Sequence, residues 1–176
     1  MKPRKDKNLI LIGYMGCGKS TIGTKSARAF EFRFLDTDAL IEQEEGCTIS
    51  ELFAEKGEEY FRAKETETIK RLQREPKGIL LATGGGLPMR EENAKILQEL
   101  GTIVYLKCSP ETLIARLSGD TRRPLLAEGT LEDKIKTMLE IRGPIYESVA
   151  DVILETDGKS FYEMICFLEN ILKGKR

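Results

Sequence analysis

A chain of 176 residues with 40% hydrophobic positions has the size of one domain and can bury a substantial core. Its 28 Lys and Arg against 29 Asp and Glu leave a formal net charge of −1, which gives no reason to expect nucleic acid or an anionic membrane as partner. The absence of histidine excludes His-based catalysis and His metal ligation, and Cys17, Cys47, Cys108 and Cys166 are too scattered for a zinc knuckle or a disulfide framework. No apolar run approaches the ~20 residues that span a bilayer. The basic start Met1-Lys2-Pro3-Arg4-Lys5 lacks the apolar stretch of a signal peptide, so a cytoplasmic protein is expected.

In chain order, the apolar run at 8–12 reads as a buried strand. It enters Gly13-Tyr14-Met15-Gly16-Cys17-Gly18-Lys19-Ser20, a full match to the phosphate loop G-x-x-x-x-G-K-[ST], and Thr21 to Phe30 reads as the helix that must follow. Glycines let successive N–H groups face phosphate oxygens, and the helix N-terminus adds positive potential there. Lys19 can reach the β- and γ-phosphates and the Ser20 hydroxyl can ligate Mg²⁺. A glycine turn with no ligand is the alternative, and the complete motif between strand and helix weighs against it.

The second strand, at 32–35, is followed by Asp36-Thr37-Asp38. Two carboxylates at a strand exit can divide two tasks, one facing metal and one facing the phosphate acceptor; the alternative is a helix N-cap plus a solvated acid. The stretch from about 37 to 75 is helical and too long for one crossover, so it reads as an insert. Thr48 and Glu51 make a capping box there, and Glu65, one turn beyond Arg62, is placed to orient its guanidinium. A third strand at 79–83 ends in Thr83-Gly84-Gly85-Gly86, where bare backbone N–H groups can meet a ligand or where the chain simply turns. A fourth, at 102–106, precedes Ser109-Pro110-Glu111, a good helix start.

Next comes a second irregular stretch, about 118–128, carrying Arg122-Arg123-Pro124-Leu125-Leu126, which reads as a lid. Arg142-Gly143-Pro144 is expected to end the helix after it, a fifth strand is expected at 151–154, and the last helix should bury Phe161, Ile165, Leu168 and Leu172 on one face. Strands alternating with helices imply a parallel sheet covered on both faces, with ligands gathering beyond the C-terminal strand ends.

The ordered set Gly-Tyr-Met-Gly-Cys-Gly-Lys-Ser-Thr-Ile-Gly, Phe-Leu-Asp-Thr-Asp, Phe-Arg-x-x-Glu, Gly-Gly-Gly, Arg-Pro-Leu-Leu and Arg-x-Pro-x-Tyr resembles shikimate kinases, from residue 9 to about 172. The resemblance implies an α/β, three-layer P-loop NTPase fold of the nucleoside monophosphate kinase type: a five-stranded parallel sheet, a helical substrate-binding insert and a lid within one domain over residues 1–176. It implies transfer of the ATP γ-phosphate to the 3-hydroxyl of shikimate, towards chorismate and aromatic amino acids. Gly16, Cys17, Gly18, Lys19, Ser20 and Thr21 would hold the ATP phosphates, and Ser20 and Asp36 would serve Mg²⁺. Asp38 would bind the shikimate hydroxyls beside the one that attacks, Arg62 and Arg142 would grip the carboxylate, and Gly84, Gly85 and Gly86 would line the site. Arg123 would swing onto the phosphates, and Arg116 and Lys159 would lie near adenine. ATP and shikimate are the expected partners, with no nucleic acid or membrane, and a monomer is expected.

Phosphoryl transfer through a loose transition state asks the protein mainly to position groups and stabilise charge, work that falls here to Lys19, Mg²⁺, Arg123 and Asp38. The runner-up is another small-molecule kinase of the same fold, acting on gluconate or a nucleotide. A regulatory GTPase would need D-x-x-G and N-K-x-D, and neither string occurs.

Overall fold

The computed structural model describes residues 7–118 and 130–174. The expected lid, with Arg122 to Leu126 and therefore Arg123, lies outside the described residues. Five short strands form one parallel sheet: β1 (Leu9–Ile12), β2 (Arg33–Asp36), β3 (Ile79–Ala82), β4 (Thr102–Lys107) and β5 (Val152–Glu155), in the order β2-β3-β1-β4-β5. Each β1 and β3 residue is buried, as expected for central strands covered on both faces, which explains why they read as unbroken apolar runs rather than alternating ones. Parallel pairing requires crossovers, and helices supply them: α1 (Lys19–Phe30), α2 (Thr37–Glu45), α3 (Ile49–Leu72), α4 (Glu91–Leu100), α5 (Pro110–Leu117), α6 (Leu131–Val149) and α7 (Phe161–Leu172). Helix α1 lies across β1 to β3 and packs on α7, while α3, α4, α6 and the 3-10 turn Leu87–Met89 pack on one another.

Register decides which strand ends meet. Asp36 pairs with Ala82, Leu11 also pairs with Ala82, and Ile12 pairs with Tyr105, so the phosphate loop, Asp36-Thr37-Asp38 and the three glycines leave the sheet side by side. The chain turns to opposite sides of β1 on either side of this point, the arrangement that opens a crevice at a sheet's carboxyl edge. No helix among the described residues is long and apolar enough to cross a membrane.

The insert is two helices, α2 and α3, with the Thr48–Glu51 capping box in place. Helix α3 is broken at Gly57, whose φ of 82° and ψ of 171° are outside the helical region, so Glu58 opens its second half. Ile41, Leu52 and Phe61 give the insert a small apolar cluster of its own.

Two expectations need correction. Arg142-Gly143-Pro144 does not end its helix: α6 runs through Pro144 to Val149. Proline removes one i→i−4 bond, but the turns beyond it are held because Tyr146 and Val149 are buried and the helix packs on β4. Phe161 is not on the buried face of α7, which is formed by Met164, Leu168 and Leu172 with Ile165 half-buried. In the first turn of α7 the side chain of Phe161 is 45% exposed and lines the cleft at the sheet's carboxyl edge, with Lys25 Nζ 4.8 Å from its ring centroid.

Candidate active site

Helix α1 begins without a side-chain cap and without an acid in its first turn, whereas Asp36, Thr48, Ser109, Thr130 and Ser160 cap α2, α3, α5, α6 and α7. Its N-cap, Gly18, holds φ at 98°, a left-handed geometry that costs glycine little. The first amides of α1 thus stay available for an anion. Lys19 Nζ donates to the carbonyls of Gly13 and Tyr14 at 2.8 and 2.9 Å, folded back over the loop. Arg116, on α5, donates to the Gly16 carbonyl at 3.1 Å and so closes the other side.

A cavity of about 460 Å³ opens over this loop, lined by Gly16 to Ile22, Asp36, Asp38, Gly84, Gly85 and Arg116, with Phe161 and Met164 at its α7 side. Lys159 is exposed on the turn before α7, with its backbone N–H bound to Thr156, and does not line the cavity. A neighbouring cavity of about 470 Å³ is lined by Glu58, Glu59, Arg62, Gly86, Met89, Arg90 and Arg142. The glycine strip joins the two, since Gly84 and Gly85 face the first and Gly86 the second.

Asp36 performs two tasks. Its Oδ1 accepts from the N–H groups of Asp38 and Ala39 as the α2 cap, and its Oδ2 accepts from the Ser20 hydroxyl at 2.8 Å. The N-cap task and the contact with the phosphate loop therefore fall to different oxygens of one carboxylate. Among the described residues there is no cluster of three or more His, Cys, Asp or Glu to cage a metal. A hydroxyl and a carboxylate side by side are nevertheless hard oxygen donors of the kind that Mg²⁺ takes, one or two at a time, alongside substrate phosphates.

Asp38 differs. It is half-buried, its Oδ1 is out of reach of solvent with no hydrogen-bond partner among the described residues, and desolvation, with the Asp36 charge added, raises its pKa to about 6 despite Lys19. Glu65 is 1% exposed; its Oε2 accepts from Arg62 Nη1 at 2.8 Å, while its Oε1 is also without a partner. Burial raises Glu65 to about 7, against the pull of Arg62. Both orphan oxygens converge on Gly84: a Cβ there would stand 2.7 Å from Asp38 Oδ1 and 2.9 Å from Glu65 Oε1. Only glycine fits. Buried carboxylate oxygens without donors are costly, and of the two residues Asp38 also lines the cavity.

The two arginines are held unequally. Arg62 gives Nη1 to Glu65 and both Nε and Nη2 to Glu58, and its guanidinium lies so close to Gly86 that a Cβ there would be 2.5 Å from Nη1. Arg142 has no acidic partner among the described residues; its neighbours are the Tyr14 ring, 6.0 Å away, and the hydroxyl of Tyr146. Three contributors were not assigned a role from the sequence, although Thr37 and Tyr146 lie inside the Asp-Thr-Asp and Arg-x-Pro-x-Tyr patterns and Glu58 stands one helical turn before Arg62. Thr37, between the two aspartates, accepts the Gly84 N–H at 2.8 Å; Glu58 occupies Arg62; and Tyr146 donates to the Gly85 carbonyl at 2.6 Å. The Glu65–Arg62 pair, at a spacing of three, is the one expected from the sequence.

A family model described as shikimate kinase matches residues 15–171. A shikimate kinase of Persephonella marina is 43% identical over 159 residues, covering 90% of this chain and 94% of the relative. The solved shikimate kinase of Acinetobacter baumannii in complex with shikimate superposes with a TM-score of 0.88 at 34% identity, covering 96% of this chain and 93% of that one. A gluconokinase of Sinorhizobium meliloti, at 17% identity and a TM-score of 0.58, shares the fold alone. The chain belongs to the shikimate kinase family.

Proposed function

We propose that this chain transfers the ATP γ-phosphate to the 3-hydroxyl of shikimate with the two halves of the site in fixed roles. The loop from Gly16 to Thr21 holds the phosphates, and Lys19 exchanges the Gly13 and Tyr14 carbonyls for phosphate oxygens. Ser20 and Asp36 would hold Mg²⁺, which supplies positive charge against the phosphates when bound. Asp38 accepts hydrogen bonds from the acceptor hydroxyls, orients the attacking one and receives its proton as the bond to phosphorus forms. Arg62 and Arg142 bind the carboxylate, Gly84 to Gly86 leave room for the ring, and Glu65 holds Arg62. Arg116 borders the nucleobase end, where Lys159 is the more distant candidate, and Arg123 meets the phosphates from the lid. Helices α2 and α3 form the acceptor-binding insert of a single kinase domain that acts as a monomer.

The observation that carries this reading is the meeting, at one glycine, of two unpartnered buried carboxylate oxygens beside a phosphate loop. A small polyol in the cleft along the glycine strip would lie between Asp38 and the two arginines. Nucleobases would need aromatic or amide groups at that end, and gluconate kinship extends only to the fold. The test is ADP release with ATP and Mg²⁺ in the presence of shikimate, gluconate or nucleoside monophosphates. Turnover of shikimate well above the other two is expected; turnover of a nucleoside monophosphate with none of shikimate would overturn the reading. Asp36→Asn should raise the Mg²⁺ concentration needed for half activity, while Asp38→Asn should not.

A further inference from the structure

Tyr146 is wholly buried, yet a phenylalanine would pack there equally well, with its ring centroid 5.1 Å from that of Tyr105 at 34°. The hydroxyl must therefore be explained separately, because burying it costs free energy unless it is bonded. It donates to the carbonyl of Gly85 at 2.6 Å, across 61 residues of sequence. Arg142, one helical turn earlier on α6, stands beside the same oxygen. A Cβ on Gly85 would lie 3.4 Å from the Gly13 carbonyl, 3.5 Å from the Tyr146 hydroxyl and 3.6 Å from Arg142 Nη1. The first glycine of the phosphate loop, the middle glycine of the acceptor strip and the freer arginine thus share one neighbourhood.

We propose that the Tyr146 hydroxyl is a positioning group for the acceptor carboxylate, holding the Gly85 peptide and the Arg142 guanidinium in one fixed relation. This rests on the assignment of Arg142 and the glycine strip to shikimate binding. Because the peptide unit is planar, fixing the Gly85 carbonyl towards α6 turns the Gly86 N–H the opposite way. The same hydroxyl then limits where the Arg142 fork can swing. Arg62 needs no such device, since the buried Glu65 holds it. Burial keeps the phenol protonated through the neutral range, so it remains a donor to Gly85. The expected consequence concerns affinity for one substrate, not chemistry.

Tyr146→Phe should raise the KM for shikimate about tenfold, the worth of one well-made bond to a charged or pinned group, with KM for ATP within about twofold and kcat little changed. Tyr105→Phe removes a hydroxyl from the same aromatic pair without touching Gly85 or Arg142, and should leave both KM values unchanged. Arg142→Lys keeps the charge but loses the fork, so it should raise the shikimate KM by at least as much, and adding Tyr146→Phe to it should raise it little further. A wild-type shikimate KM in Tyr146→Phe, or an equal rise for ATP, would overturn the proposal. If Tyr146→Phe does not fold, a wild-type shikimate KM in Arg142→Lys overturns it instead. Failure of the unmodified chain to phosphorylate shikimate would overturn the functional reading itself, a different outcome.

Discussion

Where the strands of the sheet begin, Asn8 closes the structure; where they finish, Asp38 and Glu65 leave it open. Asn8 is 1% exposed and fully engaged: its Nδ2 donates to Leu100 at 3.0 Å, and its Oδ1 accepts from Gly78 and Ile79, both at 3.1 Å. A Cβ on Gly101 would lie 2.5 Å from the Asn8 carbonyl, so this end is also tightly packed. At the other end the same fold leaves one buried oxygen of each of two carboxylates without a donor. Polar groups satisfied by the chain itself hold the fold; the hydroxyls of Ser26 and Thr68 are unpartnered as well, but among the described residues only at Asp38 does an unpartnered group stand at the cleft. The contrast makes opposite demands on the two ends, and each can be tested.

The largest effect should come from the open end. Asp38→Asn should lower kcat for shikimate phosphorylation by about 10²–10⁴-fold, the range for losing a general base, while thermal stability is unchanged or improved. A loss of stability comparable to that of a core mutation would mean Asp38 is a structural group. Asn8→Ala should do the reverse, lowering unfolding free energy by about 2–4 kcal/mol by orphaning buried backbone groups. Its KM values should stay at those of the parent chain in the temperature range where it is folded. If Asn8→Ala instead changed KM for either substrate severalfold, the two ends would not be separable.

Glu65 sharpens the comparison through pH. Its pKa is raised by burial to about 7, so between about pH 4.5 and 7 the folded chain keeps a proton that the unfolded chain gives up. Its contribution to stability therefore falls as pH rises through that window, and above it the full cost of a buried carboxylate is present. Glu65→Gln has no such proton. Its stability relative to the parent should rise from pH 4.5 to 7 and then level off, by on the order of 1–3 kcal/mol. A difference independent of pH in chemical unfolding would show that the carboxylate is not destabilised by its surroundings. The smallest effect is expected at Glu58, an exposed partner that any substrate carboxylate must compete with for Arg62. Removing that competition in Glu58→Gln should lower the shikimate KM by a few-fold at most, since such pairs are worth about 0.2–1 kcal/mol. An increase would mean that Glu58 orients Arg62 rather than competing for it.

Residue order alone sets whatever depends on near neighbours in the chain. The phosphate loop is eight consecutive residues between a strand and a helix, so its composition carries its geometry. The helix starts at Thr48 and Ser109 and the Arg62–Glu65 pair depend on spacings of three or four, and each was legible for that reason. The five strands lie within one residue or so of the expected bounds: the central β1, β3 and β4 are apolar runs, while the edge strands β2 and β5 are only partly buried and are marked by their place between helical stretches. Tertiary structure decided the rest. Strand register brings Gly84 against Asp38 and Glu65, a meeting of three distant segments that no local pattern encodes. Packing carries α6 through Pro144 and turns Phe161 into the cleft, because burial against β4 outweighs a missing hydrogen bond and the first turn of α7 projects past the sheet. Whether a carboxylate's oxygens find donors within the chain depends on which groups the fold places around it: both oxygens of Asp36 accept hydrogen bonds, whereas Asp38, two residues on, keeps a buried oxygen without a donor.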